Sequence, residues 1–380
     1  MSYINTLDFD SIRPYEDHEI HEVFERLKNE ESFMNLISFL YPEIQADKFM
    51  NQLSNMTSIK QFQEEVVSLY VKNVLKNTST GITSRGLENL DPKESYLFIS
   101  NHRDIVLDPA ILNILLFEHG FNTTEIAIGD NLLIFPWITD LVKLNRTFIV
   151  RRNLSARGIM ESSRVLSHYI RHALNDKKHS VWIAQREGRS KDGNDRTQVS
   201  LLKMLNMSGK NSLIDNFKDL KIVPVSISYE LDPCDYLKAE EFYNKSINPE
   251  HAKTSDDDLK HMAKGLEGYK GRIHFAFGKP IQNELKPINA LTIKNEQFNA
   301  VAELIDKHVH ANYMLWPNNY IAWDQLNNND EYKDFYTSGE KEKFLTYIND
   351  YLEKTEHDKE FIKNSLLEMY SNPLLNKLEK

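Results

Sequence analysis

Six short apolar runs between residues 95 and 278 limit what this chain can fold into. They are SYLFIS (95–100), TEIAIG (124–129), RTFIV (146–150), HSVWIA (179–184), KIVPVSIS (221–228) and RIHFAFG (272–278). Each has strand length and too little alternation for a strand with one wet face, so each reads as a strand buried on both sides. Longer segments of helical spacing lie between some of them, notably LSARGIMESSRVLSHYIRHALND (154–176). Strands alternating with helices predict an α/β fold with a central, mostly parallel or mixed sheet flanked by helices.

The flanks read differently. In residues 15–76, Ile20, Val23, Phe24, Leu27, Phe33, Ile37 and Leu40 recur at near-helical spacing, and Ser58 can cap a second helical stretch. From about 290 onward the pattern is helical again, ending in a stretch rich in both charge signs that reads as a solvated tail. The expected organisation is a helical N-terminal subdomain (1–80), an α/β domain (81–287) and a helical C-terminal extension (288–380).

The chain has 380 residues and a formal net charge of -10, which argues against broad nucleic-acid binding. Its one cysteine, Cys234, allows no internal disulfide and fits a reducing compartment. The acidic N-terminus has no signal-peptide core, and no stretch approaches the roughly 20 apolar residues of a membrane span. A cytoplasmic protein is expected.

Chemistry-bearing residues gather where the predicted strands end. After the 95–100 run the chain reads NHRDIVLD, presenting Asn101, His102, Arg103, Asp104 and Asp108. In α/β sheets, functional residues collect outside the carboxyl ends of strands. His102 can act as a base, with a carboxylate holding its other ring nitrogen. Alternatively His102 is a loop histidine, and Asp104 or Asp108 caps the helix that starts near Pro109. A second cluster, KLNRTFIVRRN, supplies Lys143, Arg146, Arg151 and Arg152, whose guanidinium forks suit phosphate. A solvated basic edge would look the same.

The third cluster, AQREGRSKDG, follows the 179–184 run. Gly188 lets backbone approach a ligand, Arg189 and Ser190 can hold a phosphate, and Glu187 can accept from a hydroxyl. In IVPVSISYE, Pro224 interrupts an apolar strand and marks a strand end, a bulge or an edge strand.

These four segments, in this order, resemble the glycerol-phosphate acyltransferase superfamily, which includes glycerol-3-phosphate and 1-acylglycerol-3-phosphate acyltransferases. SNHRDIVLD resembles its NHxxxxD block, GDNLLIFPWITDLVKLNRTFIVRR its basic stretch, REGRSKDG its E-G-[TG]-R-S block, and VPVSISYE its closing proline strand. The resemblance covers about residues 80–285. There are three departures. Asp108 stands six residues after His102 instead of five, EGRS is one residue short, and Arg186 replaces the usual proline. One inserted residue turns a helical side chain by about 100°, so the His102–Asp108 pair requires a bulged turn, and Asp104 competes for the role.

The resemblance implies acyl transfer from a thioester, carried by coenzyme A or acyl carrier protein, to a hydroxyl of glycerol-3-phosphate or 1-acylglycerol-3-phosphate. His102 would be the base and Asp108 or Asp104 its orienter. Arg103, Arg146, Arg151, Arg152, Glu187, Gly188, Arg189 and Ser190 would bind the acceptor. No metal or other cofactor is required. A lipid product implies peripheral contact with a membrane, for which NLLIFPWITDLV (131–142) is the candidate segment. Two other readings fit the same residues, an acyltransferase acting on an amino-acid-type lipid and a non-catalytic acyl- or lipid-binding relative.

Overall fold

The computed structural model describes residues 8–40, 45–251 and 254–379. The first seven residues, part of the acidic start, lie outside that description.

The apolar runs form a single sheet. Its seven strands are β1 (Gly81–Arg85), β2 (Leu97–Ser100), β3 (Glu125–Gly129), β4 (Thr147–Val150), β5 (Val181–Ala184), β6 (Ile222–Tyr229) and β7 (Arg272–Phe277). Their spatial order is β1-β7-β6-β2-β5-β3-β4. All neighbours are parallel except β6 and β7. The fold is therefore the expected mixed, mostly parallel sheet between helices, with helical regions at both ends.

Alternation within the strands assigns each side chain to a layer. Leu97, Ile99, Val181 and Ile183 enter the core shared with the helix Ala156–Asn175. Phe98, Trp182, Val223 and Val225 enter the core on the opposite face, shared with the helix Leu107–Glu118. Burying one such Val, Leu, Ile or Phe side chain contributes roughly 1.5–3 kcal/mol, so the two layers fix the register of the central strands.

Pro224 lies in an interior strand, not at an edge. It pairs in register with Ile99 of β2, one residue before the antiparallel ladder with β7 begins at Val225. The missing N–H falls at this switch of partners, and the Pro224 carbonyl accepts from the Gly278 N–H at 2.8 Å.

Two further cores flank the sheet. The N-terminal helices Ile20–Lys28 and Ala46–Ser54 pack with Leu144 and, in part, with Trp137 and Leu141 of the helix Pro136–Leu144. The C-terminal expectation needs correction. The helix Lys359–Leu378 is no solvated tail, because Ile362, Leu366, Leu367 and Tyr370 are buried against Ile321, Phe344 and Ile348. Its apolar residues are spaced among charges, and that hides the buried face from a reading of composition. No helix among the described residues is long and apolar enough to cross a membrane.

The C-terminal core encloses a carboxyl. Asp235 is fully buried and accepts from the hydroxyls of Tyr347 and Tyr370 at 2.9 and 2.6 Å. Burial pushes its pKa up to about 7. Its folded value exceeds its unfolded one, so its contribution to stability is complete below pH ~4 and is lost as pH rises through 7. Thermal melts from pH 5 to 8 are expected to show this loss in the native chain and a flatter profile in Asp235→Asn.

Candidate active site

β2 ends at Ser100, and the next residue locks its neighbour. The Asn101 side chain donates to the Ile227 carbonyl and accepts from the Ile227 N–H, both at 2.8 Å, extending the β2–β6 contact past the last paired residues. His102 follows at the C-terminal end of the sheet, on the same side as Phe98. Its ring stands edge-on to Trp182, with centroids 5.4 Å apart. The Trp182 indole is itself held by a donation to Ser100 Oγ at 3.0 Å.

His102 Nδ1 lies 2.8 Å from Asp108 Oδ2. The same oxygen accepts the backbone N–H of Arg103 at 2.6 Å and of Asp104 at 3.0 Å. Asp108 is fully buried in the first turn of the helix Leu107–Glu118. Asp104 has another task. Its Oδ1 accepts from the N–H groups of Val106 and Leu107 at 2.9 and 2.7 Å and so caps the start of that helix. The turn made by residues 104–106 absorbs the inserted residue, and Asp108 is the partner of His102. Asp108 fixes the ring so that Nε2 is the basic nitrogen, and Nε2 has no hydrogen bond to another described residue.

Asp104 Oδ2 is buried without a partner. Burial, and next the charge of Asp108, raise its pKa. The helix Ser255–Glu267 closes over it at Gly265, where a Cβ would stand 2.1 Å from Oδ2. Only glycine permits that approach.

The loop after β5 completes the rim. The Ser190 N–H donates to the His102 carbonyl at 3.1 Å, which ties the two motifs together. Gly188 sits at φ +70°, a conformation that disfavours side chains. Arg189 is buried, with Nη1 unpartnered, and its charge acts on Asp104. An unpaired buried guanidinium N–H is costly unless an anion fills the place. Ser190 is buried too and donates to Asp192 Oδ1 at 3.1 Å.

After β4, Arg151 is exposed. Arg152 lies 3.2 Å from Glu187 Oε1, and its N–H donates to Asp130. Glu187 is therefore a rim residue paired with Arg152. His102, Asp108, Asp104, Arg151, Arg152, Glu187, Gly188, Arg189 and Ser190 all lie at the C-terminal ends of β2, β4 and β5.

Two expected acceptor ligands do not belong to this group. Arg103 is buried and forked onto Asp195 at 2.5 and 3.1 Å, and Asp195 also accepts from the Tyr313 hydroxyl. Its guanidinium is consumed by a structural ion pair. Arg146 precedes β4, so parallel strands carry it to the opposite end of the sheet from His102. Five residues of extended chain, about 16 Å, separate it from Arg151.

One residue escaped the motif reading. Tyr229, the last residue of β6, is buried, with its hydroxyl beside Asp108. Burial first, then the charges of Asp108 and Asp104, hold it well above the usual phenol range. Its position at a strand end beside the motif was the available signal. Cys234 is buried, and burial pushes its thiol up to about 12, unlike a nucleophile.

Residues 81–228 match the family model for Acyltransferase, a span that runs from β1 almost to the end of β6. Among solved structures, the chain is similar to the 1-acyl-sn-glycerophosphate (LPA) acyltransferase PlsC from Thermotoga maritima, at 12% identity and a TM-score of 0.36 over 77% of this chain and 94% of that one. No curated protein matches the sequence. Residues 81–228, the segment that carries the four motifs, are thus similar to an acyltransferase-family domain.

Proposed function

We propose that this acyltransferase moves a fatty acyl group from a coenzyme A or acyl-carrier thioester to a hydroxyl of glycerol-3-phosphate or 1-acylglycerol-3-phosphate in phospholipid synthesis. The observation that carries the reading is the closed His102–Asp108 pair in the same loop cluster as a buried Arg189 whose Nη1 has no partner. His102 Nε2 takes the proton of the acceptor hydroxyl as the oxygen attacks the thioester carbonyl. The tetrahedral intermediate collapses, the C–S bond breaks, and the imidazolium returns the proton to the thiolate. Asp108 stabilises the imidazolium between these steps. Arg189, with Arg151 at the rim, supplies charge for the acceptor's anionic end. The 2.8 Å contact between His102 and Asp108 supports this reading over that of a non-catalytic acyl- or lipid-binding relative.

Exposed apolar side chains beside this end support contact with a lipid surface. Phe135 follows β3, while Leu154, Ile159 and Met160 follow β4. Purified protein given labelled acyl donors with glycerol-3-phosphate, lysophosphatidate and amino acids in parallel tests the acceptor class. Ester product on a phosphate-bearing acceptor is expected. Turnover with amino acids alone transfers the proposal to an amine acceptor, and no turnover with any thioester donor overturns it.

A further inference from the structure

The displaced Arg146 lines a second cleft. It lies at the N-terminal ends of β3 and β4, remote from His102, and is open to solvent. Val67, Ala110, Ile114 and Phe117 form its apolar wall. One side is a turn of π-helix, Gln63–Val67, an irregularity common at binding sites. Gln63 spans the cleft floor, donating to Asn145 Oδ1 at 3.0 Å and accepting from Thr123 Oγ1 at 2.8 Å.

Two donors in the cleft lack acceptors to match. Asn113 is only 7% exposed. Its Oδ1 accepts from the N–H and hydroxyl of Thr124 at 2.7 and 2.9 Å, which fixes the amide orientation. Its Nδ2 is then a buried donor with no partner. Arg146, held at φ 55°, has one long contact to the Thr123 carbonyl at 3.4 Å. No carboxylate among the described residues forms a salt bridge with it, while Glu125, Asp17 and Glu16 act on it from farther away. Lys60 and Glu64, also on the rim, pair with each other at 3.6 Å. One positive charge without a salt-bridge partner thus remains, next to an unused amide donor and an apolar wall.

We propose that this cleft binds a medium-chain carboxylate, with the carboxylate on Arg146 and Asn113 Nδ2 and the chain along Val67, Ala110, Ile114 and Phe117. A monoanion matches the single free charge. The helix Leu107–Glu118 forms one wall and carries Asp108 in its first turn, so ligand and catalytic pair share one element.

Calorimetry with decanoate and with decanol, together with hydrogen exchange of the bound protein, tests the proposal without any assay of turnover. Decanoate is expected to bind at least tenfold more tightly than decanol, to protect amides in 59–68 and 107–118, and to lose at least tenfold in affinity in Arg146→Gln. Should that variant unfold, Ile114→Trp, which fills the cleft, is expected to abolish binding. The site is overturned by no binding to the native chain, by equal affinity for decanol, by unchanged affinity in the variants, or by protection confined to 98–106 and 186–190, which would place the ligand at His102.

Discussion

Replacing His102 with alanine is expected to lower kcat by about 10²–10⁴-fold, the usual contribution of a general base, with little change in the KM of either substrate. In the proposed reaction His102 would meet the substrate through one nitrogen, which acts by taking a proton at the transition state, so its loss should fall on kcat. The fold should survive. His102 is partly exposed, and Asp108 Oδ2 keeps the N–H groups of Arg103 and Asp104 when the ring is gone. Steady-state kinetics beside a thermal melt check both halves. A variant with native kcat would remove His102 from the chemistry. One that fails to fold would leave the substitution His102→Gln, which keeps bulk against Trp182, to decide by the same kinetic measurement.

The sheet was legible because its strands are buried on both faces, which writes them as unbroken apolar runs. β1 was not. Its sequence, GITSR, has one apolar residue, and the strand lies exposed at the sheet edge on β7. Its place comes from a ladder with residues about 190 positions away, which no local window contains.

The site divides along a similar line. Spacing and residue type located His102 and both candidate carboxylates. The choice between Asp104 and Asp108 depended on which backbone N–H groups each one meets in a turn. Residue type also said that Arg103 is cationic, but not that Asp195 and Tyr313, from distant parts of the chain, consume its charge. Arg146 is a different case. The sequence already put it at the start of a strand and Arg151 past the end, and parallel strands send those two ends to opposite rims of the sheet.

Asp108 should be the costlier of the two carboxylates to lose, both in rate and in stability. In Asp108→Ala, three donors lose a common acceptor, two of them buried backbone N–H groups. At about 1–3 kcal/mol for each group left unsatisfied, the two amides alone predict a loss of roughly 2–6 kcal/mol. Asp108→Asn preserves volume and one acceptor oxygen, so it should fold better while losing the charge that stabilises the imidazolium, and its kcat should drop by about 10²–10⁴-fold. Asp104→Asn should behave oppositely. Its oxygen can still cap the helix, where loss of a cap costs about 0.5–2 kcal/mol. Burial and the Asp108 charge already push Asp104 toward its neutral form, which makes it a poor counter-ion for a protonated ring. Urea titrations and kcat measured on the three variants separate the roles. A larger rate loss in Asp104→Asn than in Asp108→Asn would reverse the assignment, because the residue that orients the base must hold its charge while the proton is on His102.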